Sequence, residues 1–317
     1  MGAFYPEWPK IVRIAVTNPP STTGYQVKVE IPWQPGMNDD FSDLRFTDYL
    51  MTLPYWIETS TSRTTATVWI KLTETGQAAT EFFCYYGNNA AVSESSGTTV
   101  FEFFDDFPGT TLNTTNWTVL SGTPTVSGGV LNTGKNKEVL AKFSYSNTYA
   151  MRTRVVSQAT NGQSAFIGFF LTAGRASQTY RLYGNYPTAN VVNALMTGDT
   201  GFTMGNDGTT PHVYDLLRSG TQCEMVSDGV SKGTLTGGSS AVNYIVLGGD
   251  SASSTALMST DWVVIRKYTT TDPTCTPAES GINTAFYMIT FLLRYLKGIT
   301  LTAVQHLTHI DLSWYKY

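Results

Sequence analysis

Tyr25-Gln26-Val27-Lys28-Val29-Glu30-Ile31 sets an apolar residue at every second position. Side chains of a strand alternate between its two faces, so this period of two predicts a strand with one face buried and one wet. Just upstream, Val12, Ile14 and Val16 alternate with Arg13 and Ala15, which predicts a second strand. Thr17-Asn18-Pro19-Pro20-Ser21-Thr22-Thr23-Gly24 joins the two and is rich in turn residues. The pair therefore reads as a hairpin or short strand pair.

Working outward, the same grammar recurs. Leu44–Thr47, Pro54–Glu58, Ala66–Lys71 and Phe82–Tyr86 are strand-length runs rich in β-branched or aromatic residues. Polar or turn-prone segments separate them, as in a β-sandwich of about 100 residues. From Phe101 the pattern begins again. Strands are expected near Trp117–Leu120, Thr125–Leu131, Tyr149–Val156, Ala165–Leu171, Thr179–Tyr183, Val213–Arg218, Gln222–Val226, Asn243–Gly248 and Trp262–Lys267. The fold class read from this is all-β, with two β domains, the first a sandwich and the second a jelly roll or sandwich. The expected domains are 1–104 and 105–268, followed by a linker at 269–281 and a C-terminal tail at 282–317.

Composition excludes several classes. The chain has 317 residues, a net charge of −4, 41% hydrophobic and 13% aromatic residues. Disorder calls for low hydrophobicity and high net charge, and neither is present. Nucleic-acid binding calls for a basic footprint, and 20 Lys+Arg against 24 Asp+Glu supply none. The three cysteines, Cys84, Cys223 and Cys275, share no CxxC spacing, so a zinc site is not expected. Met1–Lys10 has neither a basic start nor an apolar core, so no signal peptide is read there. In the tail, Phe286, Ile289, Leu293 and Leu296 are spaced three, four and three apart, a helical stripe expected to bury itself against another chain or the β domains. The apolar run Ala285–Leu293 is nine residues long, too short to span a bilayer, so membrane contact is not expected.

The first domain resembles a family known as domain of unknown function 2341. The resemblance rests on an ordered series of motifs after Trp8: Ile14-Ala15-Val16-Thr17-Asn18, Asp40-Phe41-Ser42-Asp43-Leu44-Arg45-Phe46-Thr47, Leu53-Pro54-Tyr55-Trp56-Ile57-Glu58, Val68-Trp69-Ile70-Lys71, Tyr85-Tyr86-Gly87-Asn88 and Phe101-Glu102-Phe103-Phe104-Asp105-Asp106-Phe107. It implies a module of surface and secreted proteins without an established activity. The second domain resembles a concanavalin-like, laminin-G-type jelly roll, through Asp105-Asp106-Phe107, Asn116-Trp117, Gly129-Val130-Leu131 and Asp261–Tyr268.

Glycoside hydrolysis is the enzymatic option for that fold, and it normally uses two carboxylates. The Glu-x-Asp-x-x-Glu strand motif of retaining enzymes of this fold is absent, and Glu138 and Glu224 are far apart in the sequence. No Gly-x-Ser-x-Gly elbow occurs, and His212, after Pro211, reads as a solvated loop residue. Asp105, Asp106 and Asp261 are the candidate metal ligands, with calcium as the candidate cofactor, since the first and last strands of such folds lie side by side and carboxylates suit a hard cation. Tyr180, Arg181, Tyr183, Asn185 and Tyr186 are the candidate carbohydrate contacts. By alternation Tyr180 and Leu182 face one way and Arg181 and Tyr183 the other.

These observations lead to the expectation of a non-enzymatic extracellular recognition or structural protein. It would bind a glycan or cell-surface receptor, as a surface adhesin or a virion attachment component, and form homo-oligomers through its tail. The alternatives are a glycoside hydrolase with an atypical acid/base pair and a filament or coat subunit.

Overall fold

A computed structural model describes residues 5, 7–48, 51–159, 165–171, 178–184, 191–196, 201–207, 210–249 and 257–283. The fold is all-β, and among the described residues helix is confined to the single turns Gly76–Ala79 and Gly97–Val100. None of these helices is long and apolar enough to cross a membrane.

Seven strands open the chain: β1 Lys10–Thr17, β2 Tyr25–Pro32, β3 Arg45–Thr47, β4 Thr52–Leu53, β5 Tyr55–Thr61, β6 Thr65–Leu72 and β7 Glu81–Tyr86. Next come β8 Phe103–Asp105, β9 Trp117–Ser121, β10 Thr125–Ser127, β11 Val130–Gly134, β12 Glu138–Tyr145, β13 Tyr149–Ala159, β14 Ala165–Phe170 and β15 Gln178–Gly184. The series ends with β16 Val191–Met196, β17 Gly201–Asp207, β18 His212–Ser219, β19 Gln222–Ser227, β20 Val230–Thr236, β21 Asn243–Gly249, β22 Leu257–Lys267 and β23 Thr274–Asn283.

The chain forms two compact units. The first holds residues up to Ser96 and takes in β23 from the far end of the described chain. The second is Gly97–Asp272. Two boundaries therefore differ from the sequence reading. The first unit stops at Ser96 rather than at 104, because Phe103–Asp105 pairs with β22 in the second unit. Part of the expected 269–281 linker is a strand, because Thr274–Asn283 lines up antiparallel with the whole of β1. Local sequence hid this strand: TCTPAESGIN has Pro277 and Gly281 inside it, both poor central-strand residues, and both are tolerable at a sheet edge. The tail expectation falls mostly outside the described residues, and Ile282 and Asn283 close β23.

The first unit has one sheet in the order β23-β1-β7-β3-β4 and a second in the order β2-β6-β5. Its core contains Val12, Ile14 and Val16 with Val27, Val29 and Ile31, the residues whose alternation announced the fold. Lys28 and Glu30 face solvent, as the period of two requires.

The second unit is a concanavalin-like jelly roll. One sheet runs β10-β11-β22-β13-β18-β19-β20, with β8 also on β22; the other runs β17-β16-β15-β14-β21-β12-β9. Two of its hairpins are closed by two-residue loops, Gly128-Gly129 and Asp228-Gly229, in which both residues have positive φ. That is the turn whose twist matches the twist of paired strands. The core between the sheets includes Trp117, Val139, Ile167, Phe169, Tyr180, Leu182, Met225, Val263 and Ile265.

Candidate functional site

The seven-stranded sheet of the second unit has a second face, turned away from that core. Val139, Ile167 and Leu247 point into the core, so their neighbours Glu138, Phe166 and Gly248 belong to the opposite face. Backbone register sets one row across it: Thr203, Asn193, Tyr183, Phe166, Gly248, Glu138 and Ser121. The adjacent row is Gly201, Leu195, Arg181, Gly168, Val246, Leu140 and Thr118.

Two glycines shape this face. A Cβ on Gly248 would lie 2.9 Å from Glu138 Cγ and 3.0 Å from Phe166 Cζ, so the carboxylate stem and the ring close over the glycine from both sides. A Cβ on Gly168 would lie 2.2 Å from the Tyr180 carbonyl oxygen, so no side chain fits there. Phe166, Phe170 and Val246 form an apolar cluster on this face, with Leu120 and Leu140 packed against it. Glu138 and Arg181 are buried beside that cluster, and Thr203 Oγ1 donates to Asn193 Oδ1 at 3.0 Å nearer the β17 edge. The face thus combines a carboxylate, a guanidinium, an amide and apolar ring surface.

The expected carbohydrate contacts divide. Tyr180 faces the core, where it is fully buried and cannot stack on a ligand. Burial, and after it the neighbouring Cys223, pushes its hydroxyl pKa up to about 12. The reason is strand alternation: Tyr180 and Leu182 share the inward side, and Arg181 takes the outward one. Tyr183 stands in register with Phe166 and Asn193. Asn185 and Tyr186 lie outside the described residues. Sequence reasoning did not single out Phe166, Asn193 or the two glycines. The signal available was the period of two in Ala165-Phe166-Ile167-Gly168-Phe169-Phe170, which a fully apolar run conceals.

The three acidic candidates are engaged with protein groups. Asp105 is buried and accepts from Trp117 Nε1 at 2.7 Å, the Phe107 N–H at 2.8 Å and Asn116 Nδ2 at 3.3 Å. Asp261 pairs with Arg154. Burial, and then the nearby charges of Asp105 and Asp261, raise the pKa of Asp106. The three acids are thus neighbours, but among the described residues no group of three or more His, Cys, Asp or Glu side chains is arranged to hold a metal ion. Glu138 and Glu224 lie in different sheets of the sandwich, with Val139 beside the first and Cys223 and Met225 beside the second pointing into the core between them. They cannot flank one glycosidic bond.

His212 begins β18 instead of sitting in a loop. Its Nδ1 lies 2.7 Å from Asp228 Oδ2 and its Nε2 lies 3.0 Å from Thr210 Oγ1. The other oxygen of Asp228 accepts the Val213 N–H at 3.0 Å. Asp228 is the first residue of a hairpin turn, so this carboxylate ties the turn to the start of β18. The three cysteines are free thiols, Cys84 and Cys223 buried and Cys275 half-buried.

Solved structures similar to this chain include the β-glucanase of Bacillus licheniformis, at 14% identity and a TM-score of 0.43, covering 52% of this chain and 97% of that one. An endo-β-1,3-glucanase from Pyrococcus furiosus matches at 16% identity and 0.41, covering 54% and 95%. A structure described under endo-acting O-glycanases of the human gut microbiota matches at 13% and 0.44, covering 53% and 100%. The likeness is one of fold. A family model described as a domain of unknown function (DUF2341) matches residues 40–120. That stretch begins in the loop before β3 and ends in β9, so it crosses from the first unit into the second. No curated protein matches the chain.

These findings correct the expectation of a non-enzymatic recognition or structural module. The solved structures quoted are named as enzymes that act on glycans, and at 13–16% identity what they share with this chain is the fold.

Proposed function

We propose that the second unit hydrolyses a glycan at the outer face of its seven-stranded sheet, with the Glu138 carboxyl group giving its proton to the leaving oxygen while a solvent water adds to the anomeric carbon and releases its proton to solvent. The observation that carries this reading is the Glu138–Gly248–Phe166 arrangement, in which a carboxylate stem and an aromatic ring meet over a glycine on the sheet face. Glycosidic cleavage needs a carboxyl group at the leaving oxygen, and apolar ring surface suits the C–H face of a sugar. Arg181 in the neighbouring row and Asn193 in the same row supply donors for sugar hydroxyls. Among the described side chains of this face Glu138 is the one carboxylate, which makes it the decisive residue. A polymeric glycan substrate goes with action outside the cell, on a surface or on a virion.

The test is release of reducing ends from a panel of β-glucans, agar and mucin O-glycans. We expect turnover by the full chain, at least 100-fold loss in Glu138→Gln, and retained turnover in Glu224→Gln. Absence of turnover across the panel, or full turnover by Glu138→Gln, overturns the assignment.

A further inference from the structure

We infer that the first unit carries a saccharide-binding cleft of its own, between the loop that follows β2 and the loop that follows β7. The cleft has a volume of about 680 Å³ and is lined by Met37, Asp39 and Asp40 on one wall and by Asn89, Ala91 and Val92 on the other. That volume lies in the range of small-ligand sites.

The two walls are built, and they are joined through one buried carboxylate. Asp43 is fully buried; one of its oxygens accepts the Asn38 N–H at 2.9 Å and the other accepts the Gly87 N–H at 2.6 Å. Its backbone carbonyl accepts Trp8 Nε1 at 2.6 Å. Arg45, also buried, donates to the Val92 carbonyl at 2.8 Å, pairs with Glu94 at 3.0 Å and stacks over the Trp8 ring at 5.1 Å. On the first wall, Phe41 plugs the loop into the core at a positive φ of 61°, and Asn38 Nδ2 donates to Ser42 Oγ at 2.9 Å. Both walls are therefore held in position before any ligand arrives, which removes part of the ordering cost of binding.

The lining selects the ligand class by elimination. An anion meets Asp39 and Asp40 and is repelled. A divalent cation needs several free oxygens in one place. Asp39 Oδ1 is held by Arg63 at 2.6 Å and Asp40 Oδ1 by the Ser42 N–H at 3.0 Å, and the described residues hold no cluster of three metal-ligating groups. A wholly apolar ligand would strand the polar groups that make up most of the walls. A neutral polyol fits. Carboxylates accept from sugar hydroxyls in charge-assisted bonds, and the Asn89 amide can donate as well as accept. Val92, exposed to 75%, and Ala91 beside it present a small apolar surface for the C–H face of a ring. This site lies in the other unit from the Glu138 face and does not depend on it.

The experiment is methyl-resolved NMR of the full chain, titrated with glucose, galactose and N-acetylglucosamine oligosaccharides of four to six units, and separately with calcium chloride. We expect at least one oligosaccharide to shift the Met37, Ala91 and Val92 methyl signals in a saturable way. Asn89→Ala and Asp40→Asn, both on exposed loop positions, should weaken that binding at least tenfold while leaving the other methyl signals in place. Shifts confined to Val246 and Leu140 would support the Glu138 face and overturn the cleft. So would a response of Met37, Ala91 and Val92 to calcium alone, or no response to any oligosaccharide at millimolar concentration.

Discussion

Two carboxylates illustrate how single residues hold this structure. Asp105 gathers the Phe107 N–H and the Trp117 indole N–H, and Phe107 sits at a φ of 48°, a conformation costly for a bulky residue. Asp105→Ala would leave both donors buried and unsatisfied and release the strained turn. It should lower stability by about 3 kcal/mol, measured as a shift of the urea midpoint at constant slope. Asp228 carries a pH dependence. Burial acts to raise its pKa, but the Val213 N–H and His212 outweigh that and lower it. A carboxyl whose folded pKa lies below its unfolded value stabilises above the unfolded value, and that contribution fades as pH falls through the folded one. The stability advantage of the native chain over Asp228→Asn should therefore be present at about pH 6 and vanish toward about pH 2, read from thermal melts. With the side chain half exposed, solvent screening keeps the effect below about 1 kcal/mol. Asn tolerates the positive φ of this turn position, so the variant isolates the charge.

At the level of the element, the glycines of β14 and β21 and the strand β23 make separable predictions. Gly248→Ala pushes against the stem of Glu138 and the edge of Phe166, groups that can give a few tenths of an ångström. Gly168→Ala pushes against the β15 backbone, at 2.2 Å from the Tyr180 oxygen and 2.6 Å from Arg181 Cα. Gly248→Ala should cost about 1 kcal/mol and Gly168→Ala about 3 kcal/mol, since overpacking costs more where backbone must move. Chemical denaturation of the two variants side by side checks the order. β23 is the outer partner of β1 along its whole length. Ending the chain at Pro273 should leave β1 as a bare sheet edge, and the β1 amides bonded toward β23 should lose at least about 100-fold of hydrogen-exchange protection, roughly 2.7 kcal/mol. Ending the chain at Asn283 keeps the pairing and should keep the protection. Equal protection in both truncations would show that β23 contributes nothing to the first unit.

For the whole molecule, the chain order and the fold order differ. Met1–Ser96 forms most of the first unit, Gly97–Asp272 forms the jelly roll, and the next ten-residue strand returns to the sheet where the chain began. Many strands of both units were legible because alternation is a local signal: Val27, Val29 and Ile31 are buried where Lys28 and Glu30 are exposed, and the same period of two sets Leu182 into the core and Arg181 outside it, whereas β12, β16, β17 and β20 were not singled out. The motif series from Asp40 was legible too, and the family model matches 40–120. The sequence by itself thus determined the all-β class, the two-sandwich plan and the turns that separate many of the strands, since each depends on residues within a few positions of one another. Only the tertiary structure decided which strands pair and which groups meet. β23 finds β1 more than 250 positions away, as the Lys10↔Asn283 register shows, and a strand interrupted by proline and glycine carries no mark of its distant partner. Glu138, Phe166 and Gly248 meet because three strands separate in sequence share a register, and Asp43 joins two loops because its two oxygens reach N–H groups 44 residues apart in one case and five in the other. Hydrogen bonding and close packing across sheets act at a few ångströms in space, whatever the distance along the chain, and a linear pattern does not record them.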